Sequence, residues 1–333
     1  MVLVRILQEL INSPQHSALK MRLWAIMSEN FAVKVPCCES DRGTVFRFKL
    51  LILVVVVWIS ISSASILVLL SNASAEACAF WRLLLSSLIL YALRLRESGN
   101  VYFWKIKWYH VIAGFSLAFH FIFWMRSLFI IPVYISTLLV TMYPLYSLLG
   151  EILFLHYRPP RVQVIGLVLS VVLLALYLNV ENLVLNEGVI LALLGGVACS
   201  IYFEMGGYAR RIIREDTLNY ASYTYTLSAI FVFLYAFSQR IELFNYSLKT
   251  YVYFALLAII PMIFGHTLIN YILAHYPASL VTMISLGEPF GAGLLAYLVI
   301  GQAIELRHVL YGVIIISMVF TTISVTTHRI ENR

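Results

Sequence analysis

Six ionisable residues interrupt the long apolar runs of this chain: Arg82, His120, Glu151, Glu204, His266 and Glu288. A charge at the centre of a bilayer costs roughly 2.5–3.5 kcal/mol on insertion scales, so such a group persists only where it faces an interior, a partner or water. Uncharged polar company comes from Ser60, Ser62, Tyr143, Tyr146, Thr267 and Asn270. His120 lies 12 residues before Pro132 and His266 11 before Pro277, so with a slip of one residue the imidazoles hold corresponding places. Imidazole changes charge near neutral pH, which suits a substrate anchor or a proton-coupling group. A neutral ring bridging two helices explains it as well.

Glu288 immediately precedes Pro289, and a mid-helix proline leaves a backbone carbonyl free to face a cavity. A carboxylate there would serve as a neutral donor, a switchable proton site, a counter-charge for a cationic substrate, or one half of an ion pair. Glu151 and Glu204 fall nearer the ends of their runs and read as an inner gate or an interfacial pair. Arg82 is close enough to a run's end to snorkel toward headgroups; the alternatives are an anchor for an anionic substrate group or a partner for a carboxylate. Tyr220, Tyr223 and Tyr225 alternate with small polar residues, as in a solute-facing aromatic wall or an interface belt. Gly287 and Gly291 flank Pro289 at a spacing that lets backbones approach and bend, so Pro144, Pro289, Gly287 and Gly291 are the candidate hinges.

The elements that must position these groups are membrane helices. The 333 residues are 62% hydrophobic and only 12% charged, against about 25% charged in soluble domains. Apolar runs near 49–71, 77–95, 108–127, 133–155, 162–180, 188–209, 217–239, 251–274, 278–300 and 308–327 predict ten helices. Their continuity excludes the alternation of a membrane barrel. With a cytoplasmic amino terminus, 14 Lys/Arg fall in inner segments against four (Arg126, Arg240, Lys249, Arg307) in outer loops. The positive-inside rule therefore places both termini in the cytoplasm. Trp104, Trp108 and Tyr109 read as interface anchors. The net charge of +7 lies in short loops rather than on one face, which argues against nucleic acid. Residues 1–48 are more polar, with a Leu3, Ile6, Leu7, Leu10, Ile11 stripe fit for a surface helix, and form a cytoplasmic extension or a disordered one.

The second half repeats the first. Pro132 and Pro144 are 12 residues apart, as are Pro277 and Pro289; Gly166 follows Pro144 by 22 and Gly312 follows Pro289 by 23. Five helices per half is an odd number, so the copies must be inverted in the membrane. The motifs are Trp58 in "VVVWISISS", "FWRLLLSSL" with Arg82, "TLLVTMYPLYSLL" around Pro144, and "SLGEPFGAGLLAYLVIGQ" with Glu288 and Pro289. On these, residues 49 to about 327 resemble the EamA-type branch of the drug/metabolite transporter superfamily. Departures are His156-Tyr157 and Gly301-Gln302 where Gly-Glu is usual, and Trp58-Ile59 for Trp-Gly. The resemblance implies an all-α polytopic membrane protein, with repeats at 49–180 and 187–327 enclosing a central cavity. It also implies export or exchange of small metabolites.

The expected solute-binding set is Trp58, His120, Tyr143, His266, Asn270 and Glu288. Glu151, Glu204 and Arg82 are expected in proton coupling or gating. A plasma-membrane carrier of this kind, free or paired as a homodimer, needs no cofactor. A flippase for a lipid-linked headgroup is the alternative carrier. An intramembrane enzyme would need a nucleophile with its base or convergent metal ligands, and the sequence holds no GxSxG, HExxH, Walker A or zinc-spaced cysteine pattern.

Overall fold

In a computed structural model the described residues are 40–98, 105–155, 157–178, 185–301 and 306–331. The stripe at residues 3–11, Trp104 and His156 lie outside them. The described residues form helices and connections, with no strand among them. We number the helices α1 (Ser40–Ser62, continued by Ala64–Leu70), α2 (Ala75–Ser98), α3 (Trp108–Ser127), α4 (Val133–Val140, then Tyr143–Leu155) and α5 (Arg161–Leu178). The second half has α6 (Glu187–Gly207, then Tyr208–Ile212), α7 (Thr217–Ser238), α8 (Leu248–Leu257, Ala258–Thr267, Leu268–Ile272), α9 (Ala278–Thr282, Met283–Gly287, Glu288–Ile300) and α10 (Leu306–Glu331).

Nine of these are long and apolar enough to cross a membrane, among the described residues. The tenth, α5, is described as far as Leu178, and among the described residues its apolar stretch Arg161–Leu176 is shorter than a full span. The first helix already includes Ser40, the first described residue, ahead of the apolar run expected from 49, and its membrane-length apolar stretch begins at Leu50. The exterior is apolar, with Leu153, Leu176, Phe237, Val313 and Leu298 all more than 60% exposed, while Arg82, Ser86, Ser170, Thr224 and Asn270 are fully buried. This distribution, the reverse of a water-soluble domain, suits a bundle whose solvent is lipid.

The packing has the symmetry of a duplication. Helix α3 packs on α6 as α8 packs on α1, and α4 packs on α6 as α9 packs on α1, while α2 pairs with α7 and α5 with α10. The fourth helices cross head to tail: Ala278–Thr282 lies against Tyr143–Leu155, and Glu288–Ile300 against Val133–Val140. Antiparallel crossing of corresponding helices makes the repeats inverted. The same order reaches single residues. Asn72 and Arg214 have positive φ (51° and 60°), and each stands two residues before the cap of the following helix, Ser74 and Asp216.

Proline sets the breaks. Pro132 and Pro277 cap α4 and α9, where the missing N–H is not needed. Pro144 follows the break at Thr141–Met142. It cannot bond the Val140 carbonyl, and that oxygen lies against Gly196 of α6, where a Cβ would stand only 2.8 Å away. Pro289 likewise follows the 3-10 turn Met283–Gly287. Helix α8 widens to π geometry over Ala258–Thr267 around Pro261, and the Thr267 hydroxyl donates to the Met262 carbonyl at 3.1 Å.

Candidate functional site

The groups at the interface between the repeats are brought together by α2, α3, α6, α7, α8 and α9. Arg82 of α2 is fully buried with its guanidinium carbon 4.0 Å from the centroid of the Phe121 ring. It turns inward; the snorkelling expected from its distance to the helix end does not occur, because Phe121 supplies a cation–π seat inside the bundle. None of its three side-chain nitrogens has a hydrogen-bond partner. His266 packs 5.3 Å from Phe121 and 6.1 Å from His120 by ring centroids, and stacks on Phe203 at 5.7 Å.

The two histidines, which the sequence places at corresponding positions of the repeats, lie near each other but bond differently. His120 Nδ1 is 2.9 Å from the Gly195 carbonyl of α6, so it bridges two helices, while His266 Nδ1 has no partner. One turn along α8, Asn270 donates to the Tyr202 hydroxyl at 2.6 Å and to the His266 carbonyl at 3.0 Å, leaving its Oδ1 without a partner. Tyr225 shares a 3.0 Å hydrogen bond with Thr267, and Tyr220 reaches the Tyr202 carbonyl at 3.4 Å. Tyr220, Tyr223 and Tyr225 are all buried inside the bundle and do not form a belt at the headgroups.

Glu288 and Tyr143 are buried near this cluster, Tyr143 with its ring 5.6 Å from Phe203 and Glu288 within electrostatic reach of Arg82. Trp58 is set apart. It fills the space beside Gly287, where a Cβ would meet Trp58 Nε1 at 2.6 Å, and with Val54, Ile284 and Phe320 it flanks a narrow crevice among α1, α9 and α10. Gly291 similarly accommodates Ser62 of α1. These glycines are close-approach points between repeats.

Glu151 and Glu204 belong to one end of the bundle, which we call the basic end for its arginines. Glu151 accepts from the N–H groups of Ala278 at 2.7 Å and Ser279 at 3.2 Å and from the Ser279 hydroxyl, so a carboxylate of the first repeat caps α9 of the second. Arg211 stands 3.8 Å away. A chain runs into this cap: Tyr157 donates to Gln163 at 2.9 Å, and Gln163 to Ser279 at 2.7 Å. Glu204 lies beside Gly150 of α4, with Oε1 unpartnered.

Further residues close the same end, His110 and Glu215 among them without a role in the sequence reading. The Lys107 N–H donates to His110 Nδ1 at 2.9 Å, leaving Nε2 to donate to Glu215 at 3.0 Å, and the Tyr109 hydroxyl donates to Glu215 at 2.9 Å. Tyr109 is thus a buried tie between repeats, not an interface anchor, whereas Trp108 is 55% exposed. Arg94 donates to Ser222 and Tyr223 at 2.8 and 3.2 Å. At the opposite end Thr250 donates to the Ser71 carbonyl at 3.0 Å, Trp81 Nε1 to the Leu243 carbonyl at 2.7 Å, and Ser74 meets Tyr246 at 3.4 Å. His110 and Thr250 are each the third residue of their helix, so the two closures correspond under the repeat. Among the described residues no group of three His, Cys, Asp or Glu is placed to hold a metal ion.

An inverted-repeat bundle with unpartnered polar groups at its middle and ties at both ends has the form of a membrane transporter. The profile of the EamA-like transporter family matches residues 48–179 and 186–324, and the chain belongs to that family. Members of the family are transporters. Solved structures matching the chain include a crystal structure with a TM-score of 0.67 at 14% identity, covering 84% of this chain and 99% of its own, a likeness of fold. No curated protein matches.

Proposed function

We propose that this transporter is a secondary active or facilitative carrier that exports small organic metabolites by alternating access. Residues 49–180 and 187–327 are the bodies that rock, about the proline breaks at Pro144 and Pro289 and the close contacts at Gly287 and Gly291. The solute faces His120, Tyr143, His266, Asn270 and Glu288, with Trp58 at the edge of the path. Glu151 and Glu204 belong to the gate at the basic end. The positive-inside bias supports a cytoplasmic basic end and cytoplasmic termini; the membrane proposed is the plasma membrane.

The observation that carries this reading is the contrast between middle and ends. At the middle, Arg82, His266 Nδ1 and Asn270 Oδ1 are buried without partners. A buried unsatisfied polar group costs about 1–3 kcal/mol, a cost that a bound solute would offset. At each end the bonds that cross between repeats form a separate local set, so one set can open while the other holds. Flux of radiolabelled amino acids, nucleosides, sugar phosphates and organic cations into proteoliposomes tests it. The expected result is protein-dependent flux of one class, strongly reduced by His266→Ala and by Asn270→Ala. Flux equal to that of protein-free liposomes for every class, or indifferent to both substitutions, would overturn it.

A further inference from the structure

We propose that Arg82 is the anion anchor of the solute site, and that the solute carries a carboxylate or phosphate oxygen beside an apolar or aromatic body. This rests on the carrier reading and adds the substrate class. Each other inward arginine described has a partner: Arg94 has Ser222 and Tyr223, Arg126 has Glu76 at 2.5 Å, Arg210 has the Asn270 carbonyl at 3.2 Å, and Arg211 faces Glu151. Arg82 is more buried than all of them, and its five N–H donors are unmet.

Packing alone does not account for it. A cation–π contact with Phe121 satisfies one face of the guanidinium and leaves the in-plane donors, which are directed at acceptors. The groups around it are Phe121 of α3, Tyr202 of α6, Tyr225 of α7, His266 of α8 and Glu288 of α9. Glu288 is within electrostatic reach but makes no ion pair or hydrogen bond with it. The fork geometry of guanidinium fits two oxygens of one carboxylate or phosphate. The His266 ring, stacked on Phe203 and edge-on to Phe121, gives such a solute an aromatic floor. The anchor belongs to the first repeat and His266 to the second, so an anion held by Arg82 bridges the bodies that move.

The test uses the full chain, purified in detergent, with matched probes read by thermal shift and equilibrium binding. Benzoate is set against benzamide, and glucose 6-phosphate against glucose. The expected result is stabilisation by the anionic member of one pair and not by its neutral mate; which pair responds separates carboxylate from phosphate. Arg82→Gln should weaken that binding about tenfold to a hundredfold, as loss of a charge-assisted hydrogen bond does, and Arg82→Lys should restore part of it. Equal response to charged and neutral mates in the wild-type protein would overturn the proposal even if Arg82→Gln fails to fold. Unchanged anion binding in Arg82→Gln would overturn it too. Flux of neutral or cationic solutes alone would leave the carrier reading intact and remove this one, whereas anion binding without any flux would do the reverse.

Discussion

Glu151 has a bond set that its place in the sequence does not disclose. A buried carboxylate late in an apolar run suggests a gate or an ion pair; besides facing Arg211 across the repeats, it bonds the first N–H groups of α9. Helix amino termini carry unsatisfied donors and a positive partial charge, so a carboxylate arriving from the other repeat secures both. Glu151→Ala should lower stability by about 2–3 kcal/mol, the cost of stranding buried donors, and Glu151→Gln less, since its amide oxygen still accepts. Thermal unfolding in detergent checks the order. Polar residues in apolar runs did mark the cluster of Arg82, His120, His266 and Asn270, because burial of such groups is improbable without a reason. Sequence could not reveal that Arg82 faces Phe121 rather than the headgroups, since both orientations keep the same helix. His110 and Glu215 escaped notice because each stands at a helix end, where polar residues are ordinary.

At the scale of elements, nearly all helices were legible, since each needs an uninterrupted apolar run bounded by charge or proline. The π geometry of α8 and the 3-10 turn of α9 were not, because they depend on how a proline's missing bond is accommodated by neighbours. Close approach is the clearest physical constraint on how helices meet. A Cβ at Gly114 of α3 would meet Leu227 Cβ at 2.8 Å and the backbone of α7 at 3.1 and 3.2 Å. Gly114→Val should therefore cost about 1–3 kcal/mol through overpacking. Gly196→Val should cost as much by driving α6 off the Val140 carbonyl. Both would be read as reduced thermal midpoints, with Gly150→Ala as the control. There the nearest atom is 3.9 Å away, on the Glu204 side chain, and the midpoint should hardly move.

For the whole molecule, inversion follows from simple counting, five helices per repeat, and the head-to-tail contact of α4 with α9 agrees with it. The proposed orientation in the bilayer rests on the arginines and lysines, and it predicts that single cysteines at Gln15 and at Asn245 label from opposite faces of the membrane. Gln15 should react only after permeabilisation. The symmetric ties at the two ends give the bundle two closures, one holding Glu215 with Tyr109 and His110, the other holding Ser71, Ser74 and Leu243 with Thr250, Tyr246 and Trp81. Alternating access requires that they release in turn.

Reversible locking of those closures tests that requirement most directly. Cysteines would replace His110 and Glu215 in one variant and Ser74 and Tyr246 in another. Because these side chains meet only at their tips, too far apart for a direct disulfide, a bis-methanethiosulfonate reagent would bridge each pair through two reducible disulfides. Flux would be measured in proteoliposomes after crosslinking and again after reduction. Each crosslink should stop flux and reduction should restore it, because a carrier that cannot open one end cannot complete its cycle. Undiminished flux with either end fully crosslinked would contradict alternating access between the two repeats.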